Sequence, residues 1–126
     1  MREIKFRAYD TVKKVMFQVT DLEFSWQTGE LTHICGTLDD ECGWEWLKKY
    51  LEIMQFTGLK DKNGVEIYEG DILKCHDLLF KVQYEYCEFC VECITPKTYS
   101  KPYLYGFRNH CEVIGNIHEN PELLEE

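Results

Sequence analysis

The first part of the chain alternates apolar and polar residues, a two-residue period that is typical of β-strands with one buried face. Ile4, Phe6 and Ala8 alternate with Lys5 and Arg7, which predicts a first strand. A polar segment at 10–14 separates it from a second apolar segment, so we expect an N-terminal hairpin. The same criterion predicts further strands at residues 15–19, 22–26, 31–35 and 53–57.

Residues 37–50 show a different spacing, in which apolar residues recur at intervals of three or four positions. Asp39 or Asp40 could cap the start of a helix there. Gly43 is unfavourable inside a helix but does not exclude one. The sequence therefore predicts one short helix, whose apolar stripe would consist of Trp44, Leu47, Tyr50 and Leu51.

Residues 57–71 combine glycines and aspartates in the manner of consecutive tight turns. Gly58, Gly64 and Gly70 stand where a turn needs backbone conformations that other residues rarely adopt. Asp61 and Asp71 stand where a carboxylate can accept hydrogen bonds from the N–H groups of a turn. We interpret these five residues as a structural motif.

The second half of the chain reads as short strands joined by tight turns, which is typical of a small barrel or sandwich. We expect strands near 72–75, 79–84, 89–93 and 111–117, and a helical turn begun by Asn120 and Pro121. The predicted fold class is mainly β, with antiparallel strands and an SH3-like small barrel over 58–118. Residues 1–126 form one predicted domain, made of N-terminal strands and the short helix (1–57), the barrel-like part (58–118) and an acidic tail (119–126).

Composition restricts the function more than the fold. The 126 residues carry a formal net charge of −9, which argues against a protein that coats nucleic acid. The charge is uneven, because bases cluster near the start and acids near the end. Opposite ends could attract each other in a homo-oligomer. A local basic patch leaves nucleic-acid association open as an alternative; it consists of Arg2, Lys5, Arg7, Lys13 and Lys14.

No apolar segment approaches the roughly 20 residues of a membrane span. The N-terminus lacks the apolar core of a signal peptide. We therefore expect a cytoplasmic protein, without membrane association and with its thiols reduced.

The cysteines give the clearest chemical hypothesis. Cys87, Cys90 and Cys93 form two overlapping C-x-x-C pairs that could bind zinc if Cys111 or another residue supplied a fourth ligand. Candidates besides Cys111 are His110, Cys75 and His76. The alternative is that these cysteines are small apolar residues of a hairpin. Neighbouring acids disfavour a redox role, because negative charge opposes the thiolate.

Catalytic chemistry has little support. His33, His76 and His118 are scattered, and His110 and Cys111 would face opposite ways on a strand. The sequence contains neither a phosphate-binding loop nor a dinucleotide fingerprint. We expect no enzyme and no cofactor. The abundant aromatic residues could stack on nucleic-acid bases, but the sequence lacks the basic groove that should accompany such a surface. We therefore expect them to pack in the core or at a subunit interface. Among them are Trp26, Trp44, Trp46, Tyr84, Tyr86, Phe89, Tyr99, Tyr103, Tyr105 and Phe107.

Three segments together resemble the YopX family of phage and prophage proteins: MREIKFRAYD, MQFTGLKDKNGVEIYEGDILK and EVIGNIHENPELL. Residues 27–50 and 85–110 lie between these segments and depart from the pattern. The resemblance implies a β-rich phage accessory protein without an assigned biochemical function, and it brings no catalytic residues. We expect a non-enzymatic protein-interaction module with an unknown protein partner. Alternatives are a nucleic-acid-associated protein, an acidic inhibitor of a host nucleic-acid-binding protein, or a small zinc protein.

Overall fold

The computed structural model describes residues 3–38, 41–46, 51–85, 87–95, 104 and 109–124. The fold is mainly β and its strand pairings are antiparallel, as the sequence predicts. By contacts the chain divides into an N-terminal unit, Lys5–Gln55, and a C-terminal unit, Met1–Ile4 with Phe56–Glu126. The strands are β1 (Phe6–Asp10), β2 (Val15–Phe24), β3 (Leu31–Leu38), β4 (Glu41–Trp46), β5 (Leu51–Lys60), β6 (Glu66–Tyr68), β7 (Asp71–Cys75), β8 (Leu78–Glu85), β9 (Glu88–Thr95) and β10 (Glu112–Asn116).

The N-terminal unit is one sheet with the strand order β4-β3-β2-β1-β5, to which β5 contributes its first half. The predicted first hairpin is confirmed, because β1 pairs with β2 and places Ala8 opposite Phe17. Ala8, Phe17 and Ile34 form the buried core of this unit. The turn between β1 and β2 is closed by Asp10, whose carboxylate accepts hydrogen bonds from two backbone N–H groups of the turn.

The predicted helix at 37–50 is wrong over the residues that the structure describes. Residues 41–46 form β4, which pairs with β3 and sets Gly43 opposite Gly36. The segment ECGWEW also alternates with period two, and pairing with β3 satisfies its backbone groups in a way that the helical spacing did not anticipate. The predicted cap at Asp39 or Asp40, and residues 47–50, lie outside the described residues.

The C-terminal unit contains the second half of β5, β6, and a sheet with the order β10-β7-β8-β9. Its core is larger than that of the N-terminal unit and includes Ile67, Leu73, Val82, Val91 and Leu104. The predicted hairpin around 85–88 is confirmed by the pairing of β8 with β9. The described pairings confirm antiparallel strands over 58–118 but do not close them into a barrel.

The predicted C-terminal helical turn is confirmed as a short 3₁₀ helix, Pro121–Leu124. Its start follows from the residue types, because Pro121 has a fixed φ and no N–H to satisfy. The described part of the chain holds no helix with the length and apolar character that a membrane span requires.

Candidate functional site

The carboxylate of Asp61 holds the turn that follows β5. Its Oδ1 accepts hydrogen bonds from the N–H groups of Asn63 at 2.8 Å and Val65 at 2.9 Å. Its Oδ2 accepts a hydrogen bond from Val113 N–H of β10 at 2.8 Å. Asp61 is only 6% exposed, so its carboxylate is largely shielded from water, and the three hydrogen bonds are part-buried. One side chain therefore fixes a turn and also satisfies a backbone donor of β10.

The backbone of the same turn adds to this contact. Lys62 N–H donates to the carbonyl of Cys111 at 3.1 Å, and Gly64 N–H donates to the carbonyl of Asp61 at 3.1 Å. Gly64 has a φ of +82°, a conformation that glycine adopts without the steric penalty of a side chain. The backbone of the central segment is thus hydrogen-bonded to that of Cys111, the residue just before the closing segment.

A second buried carboxylate, Asp71, stands at the start of β7. Its Oδ2 accepts a hydrogen bond from Tyr68 N–H at 2.7 Å, and Asp71 is only 1% exposed. Gly70 precedes it with a φ of +88°. Gly70 N–H donates a hydrogen bond to the carbonyl of Val82 at 2.9 Å. The carbonyl of Gly70 accepts a hydrogen bond from Ile117 N–H, also at 2.9 Å. This turn therefore links β7 to β8 and to the end of β10. The third motif glycine, Gly58, has a φ of +87° within β5.

The closing segment has a network of its own around Asn116. The Oδ1 atom of Asn116 accepts hydrogen bonds from the N–H groups of His118 and Glu119, and its Nδ2 donates to the carboxylate of Glu119. The side-chain oxygen of Asn120 accepts a hydrogen bond from Asn116 N–H at 3.2 Å. A Cβ at Gly115 would lie 2.5 Å from that oxygen, so glycine leaves room there for the Asn120 side chain. These side chains fix the backbone geometry at the end of β10.

The structure separates Cys87, Cys90 and Cys93, the three cysteines of the candidate zinc site. Cys90 and Cys93 are buried on β9, where side chains three positions apart point to opposite faces. Cys93 packs in the core with Cys111, whereas Cys87 is exposed in the turn with a φ of +66°. Among the described residues, no group of three or more His, Cys, Asp or Glu side chains is placed to hold a metal.

Cys75 and Cys111 form a different thiol pair, which spacing along the chain did not indicate. Cys111 directly precedes the register position at which Glu112 of β10 faces Lys74 of β7, so it lies beside Cys75. Both are buried in the core of the C-terminal unit. Burial, a side-chain hydrogen bond with Cys75 and repulsion by that neighbour raise the pKa of Cys111 from 9.0 to about 12. Such a thiol is a poor nucleophile at neutral pH.

The remaining titratable candidates are dispersed. His76 and His110 are exposed, and His33 lies on β3, where its Nδ1 is 3.7 Å from the Glu23 carboxylate. Of the predicted basic patch, Lys13 and Lys14 are exposed in the turn after β1, while Lys5 and Arg7 are half-buried. Arg2 lies outside the described residues.

The end of the β2–β3 hairpin carries exposed aromatic side chains that the sequence pattern did not predict. Phe24 is 57% exposed and Trp26 is 91% exposed. Alternation predicted a strand through residues 22–26, in which Leu22, Phe24 and Trp26 would share one buried face. In the structure the pairing shifts register between Glu23 and Phe24, and β2 ends at Phe24. The chain turns from Ser25 onward, so Trp26 is not part of the strand.

This turn is fixed by hydrogen bonds. Ser25 N–H donates to the carbonyl of Glu30 at 2.7 Å, and Gly29 N–H donates to the carbonyl of Ser25 at 2.8 Å. The Ser25 hydroxyl accepts from the N–H groups of Gln27 and Thr28, each at 3.3 Å. The hairpin therefore holds Trp26 in water on an ordered turn.

The other aromatic residues from the sequence do not form a described stacking surface. Tyr84 and Phe89 face each other across β8 and β9 in an edge-to-face pair with ring centroids 5.1 Å apart, and Tyr84 is 52% exposed. Trp44 and Trp46 are described by their backbone only. The remaining candidates lie outside the described residues, namely Tyr86, Tyr99, Tyr103, Tyr105 and Phe107.

Comparison with known proteins agrees with the resemblance noted from the sequence. A family model described as YopX protein matches residues 5–125. Protein EF1440 from Enterococcus faecalis is 34% identical, with a TM-score of 0.68 over 99% of this chain and 100% of that chain. Protein yopX from Bacillus subtilis is 20% identical, and its similar fold gives a TM-score of 0.65 over 97% of this chain and 96% of that chain. No curated protein matches significantly. The family match extends over nearly the whole length, and the chain therefore belongs to the YopX protein family.

Proposed function

We propose that this protein is a non-enzymatic protein-interaction module that acts as a phage or prophage accessory protein in the cytoplasm of its bacterial host. The observation that carries the proposal is the exposure of Trp26 and Phe24 at the end of the β2–β3 hairpin. A tryptophan held in water on an ordered turn leaves a large apolar area unburied. Large aromatic side chains that become buried at the centre of an interface supply much of its binding energy.

The distribution of reactive groups also supports a non-enzymatic role. The thiol of Cys111 is buried beside Cys75 with a raised pKa, which disfavours nucleophilic attack. His76 and His110 are exposed, each next in sequence to one of these buried cysteines. The carboxylates of Asp61 and Asp71 are engaged with backbone N–H groups. The phage or prophage context rests on the family resemblance.

A second candidate is an acidic inhibitor of a host nucleic-acid-binding protein. It is favoured by the charge of the hairpin region, because residues 15–47 contain seven acidic residues and neither lysine nor arginine. Such a segment attracts cationic surfaces that otherwise bind phosphate. Direct association with nucleic acid would depend on Lys13 and Lys14 instead, and a gel-shift assay at low salt tests it.

Affinity purification from lysogenic or infected cells, followed by mass spectrometry, tests the interaction. Three baits are compared: the wild type, the double variant Phe24→Ser with Trp26→Ser, and the control Val12→Ser. Val12 is 64% exposed in the turn after β1, so its replacement removes an exposed apolar side chain elsewhere in the same unit. We expect at least one protein that the wild type and the control retain and the double variant loses. Identical retention by all three baits would contradict the proposal.

The same protein can be examined for self-association. The opposite charges of the chain ends and the exposed aromatic residues favour a homo-oligomer. Light scattering at rising protein concentration measures this directly. A constant monomer mass would remove the oligomer from the proposal and leave the interaction with another protein in place.

A further inference from the structure

We infer that the end of the β2–β3 hairpin binds an arginine-bearing surface of its partner protein, with a guanidinium stacked on Trp26 and paired with acidic neighbours. The inference rests on the proposed function and names the chemistry of the partner. The occupant is a cationic protein surface, as opposed to a membrane, a nucleic acid or a second copy of this chain.

The hairpin and the segment that follows it carry an excess of negative charge. The seven acidic residues of 15–47 are uncompensated by lysine or arginine over that length, and three of them are on the described hairpin, at Asp21, Glu23 and Glu30. All three are exposed, and the Glu23 side chain is 61% exposed. The only other ionisable side chain between Val15 and Leu38 that can carry positive charge is His33, which lies 3.7 Å from Glu23. Within the hairpin that carries Trp26, the exposed charged side chains are therefore acidic.

The turn that carries Trp26 is fixed in place and has an acidic residue on each side. Glu23 precedes Phe24 on β2, and Glu30 closes the turn through its carbonyl, which accepts from Ser25 N–H. Both acids therefore flank the segment that carries Trp26. Hydrogen bonds to the Ser25 hydroxyl and the Gly29 φ of +77° fix the turn. A turn that is ordered before binding loses little conformational entropy when a partner docks.

The acidic charge and the fixed aromatic side chain together indicate the chemistry of the partner. An indole face attracts a cation, and a planar guanidinium can stack on it while its N–H groups reach a carboxylate. Lysine offers the charge without the planar fork. The phosphates of a nucleic acid, and the headgroups of anionic lipids, carry the same sign as the hairpin and are repelled. Arginine on a protein surface can stack on the indole ring and pair with the carboxylates at the same time.

The test follows the indole N–H resonance of Trp26 in the full-length ¹⁵N-labelled protein. The probe is a peptide of alternating arginine and glycine, and its matched control carries citrulline, a neutral isostere, in place of arginine. We expect the arginine peptide to shift the Trp26 resonance and the citrulline peptide to leave it unchanged. Added salt should weaken the binding, because exposed charges are screened.

Two variants with equal loss of charge separate local from overall electrostatics. The double variant Glu23→Gln with Glu30→Gln removes the two acids of the hairpin. The control, Glu88→Gln with Glu122→Gln, removes two exposed acids of the C-terminal unit. We expect the hairpin variant to weaken peptide binding about fivefold and the control to change it little. Thermal melting of each variant verifies that it is folded.

Several outcomes would overturn the inference. These are no shift of Trp26 with the arginine peptide, an equal shift with citrulline, or equal weakening in both double variants. A shift caused by phosphatidylcholine vesicles alone would assign the aromatic residues to a membrane, and a shift on dilution alone would assign them to a second copy. If the cellular partner is lost with Trp26→Ser but kept with Glu23→Gln and Glu30→Gln, the interaction stands and its cationic chemistry is wrong.

Discussion

The aromatic ring of Phe17 lies directly over Gly36. A Cβ atom at Gly36 would overlap Cδ2 of that ring and would stand 2.7 Å from the carbonyl oxygen of Gln18. The two residues lie on the neighbouring strands β2 and β3, where Val19 is the register partner of Gly36. The ring covers the strand position that lacks a side chain, which is how glycine is accommodated inside a sheet.

We expect Gly36→Ala to lower the free energy of unfolding by about 1–3 kcal/mol, the usual cost of overpacking. The measurement is chemical denaturation. Combination with Phe17→Leu identifies the cause, because the shorter side chain removes the ring and leaves the contact with the Gln18 carbonyl. The alanine should therefore cost less in the Phe17→Leu background, although it should still cost something. An equal cost in both backgrounds would show that the ring does not determine the effect.

The contact between Asp61 and Val113 joins residues 52 positions apart and gives a second prediction. In Asp61→Asn one carboxylate oxygen becomes an amide donor, so either the turn donors or Val113 N–H loses its acceptor. We expect a loss of about 1–3 kcal/mol in unfolding free energy, the cost of an unsatisfied buried polar group. Asp77→Asn is the matched control, because Asp77 is exposed in the turn after β7. Equal stability of the two variants would contradict a structural role for Asp61.

The turns of the central segment could be predicted because their information is local. Asn63 and Gly64 favour a tight turn by residue type alone, and the structure has that turn at these positions. What Asp61 does at a distance could not be predicted, because its bond to Val113 depends on the pairing of β10 with β7. No spacing within residues 57–71 contains that information.

The helix prediction and the hairpin end show the same limit. The three- and four-residue spacing from Trp44 to Leu51 is compatible with a helix, but the partner strand β3 determined the outcome for residues 41–46. The exposure of Trp26 depends on where β2 stops pairing, and β2 ends at Phe24, just after a register shift between Glu23 and Phe24. Alternation indicates a strand and its faces, whereas pairing determines its end.

The reactivity of the thiols gives a third prediction. In the native protein at neutral pH, iodoacetamide should modify Cys87 before Cys75, Cys90 or Cys111, because Cys87 is exposed and the others are buried. Peptide mass spectrometry measures the order of labelling, and Cys87→Ser should remove this early modification. Zinc should leave the rate at Cys87 unchanged, since Cys90 and Cys93 point to opposite faces of β9. Joint protection of Cys87, Cys90 and Cys93 by zinc would instead support a metal site.

The raised pKa of Cys111 predicts how stability depends on alkaline pH. In the unfolded chain this thiol ionises near its usual pKa of 9.0, whereas burial and the contact with Cys75 hold it protonated up to about 12 in the folded protein. Below the unfolded pKa both states are protonated, and the stabilisation is fully present. Between 9.0 and about 12 the unfolded state binds fewer protons, so the free energy of unfolding falls as the pH rises.

This fall can be assigned to Cys111 by comparing the wild type with Cys111→Ala. From about pH 8 to about pH 10 the wild type should lose roughly 1.4 kcal/mol more stability than the variant, the value of one pKa unit. Urea denaturation at each pH measures the difference, and it cancels the titration of other groups that both proteins share. Cys75→Ala should reduce the dependence only in part, because the burial of Cys111 is the larger cause and remains. Parallel pH profiles for the wild type and Cys111→Ala would show that the folded thiol ionises as easily as the unfolded one.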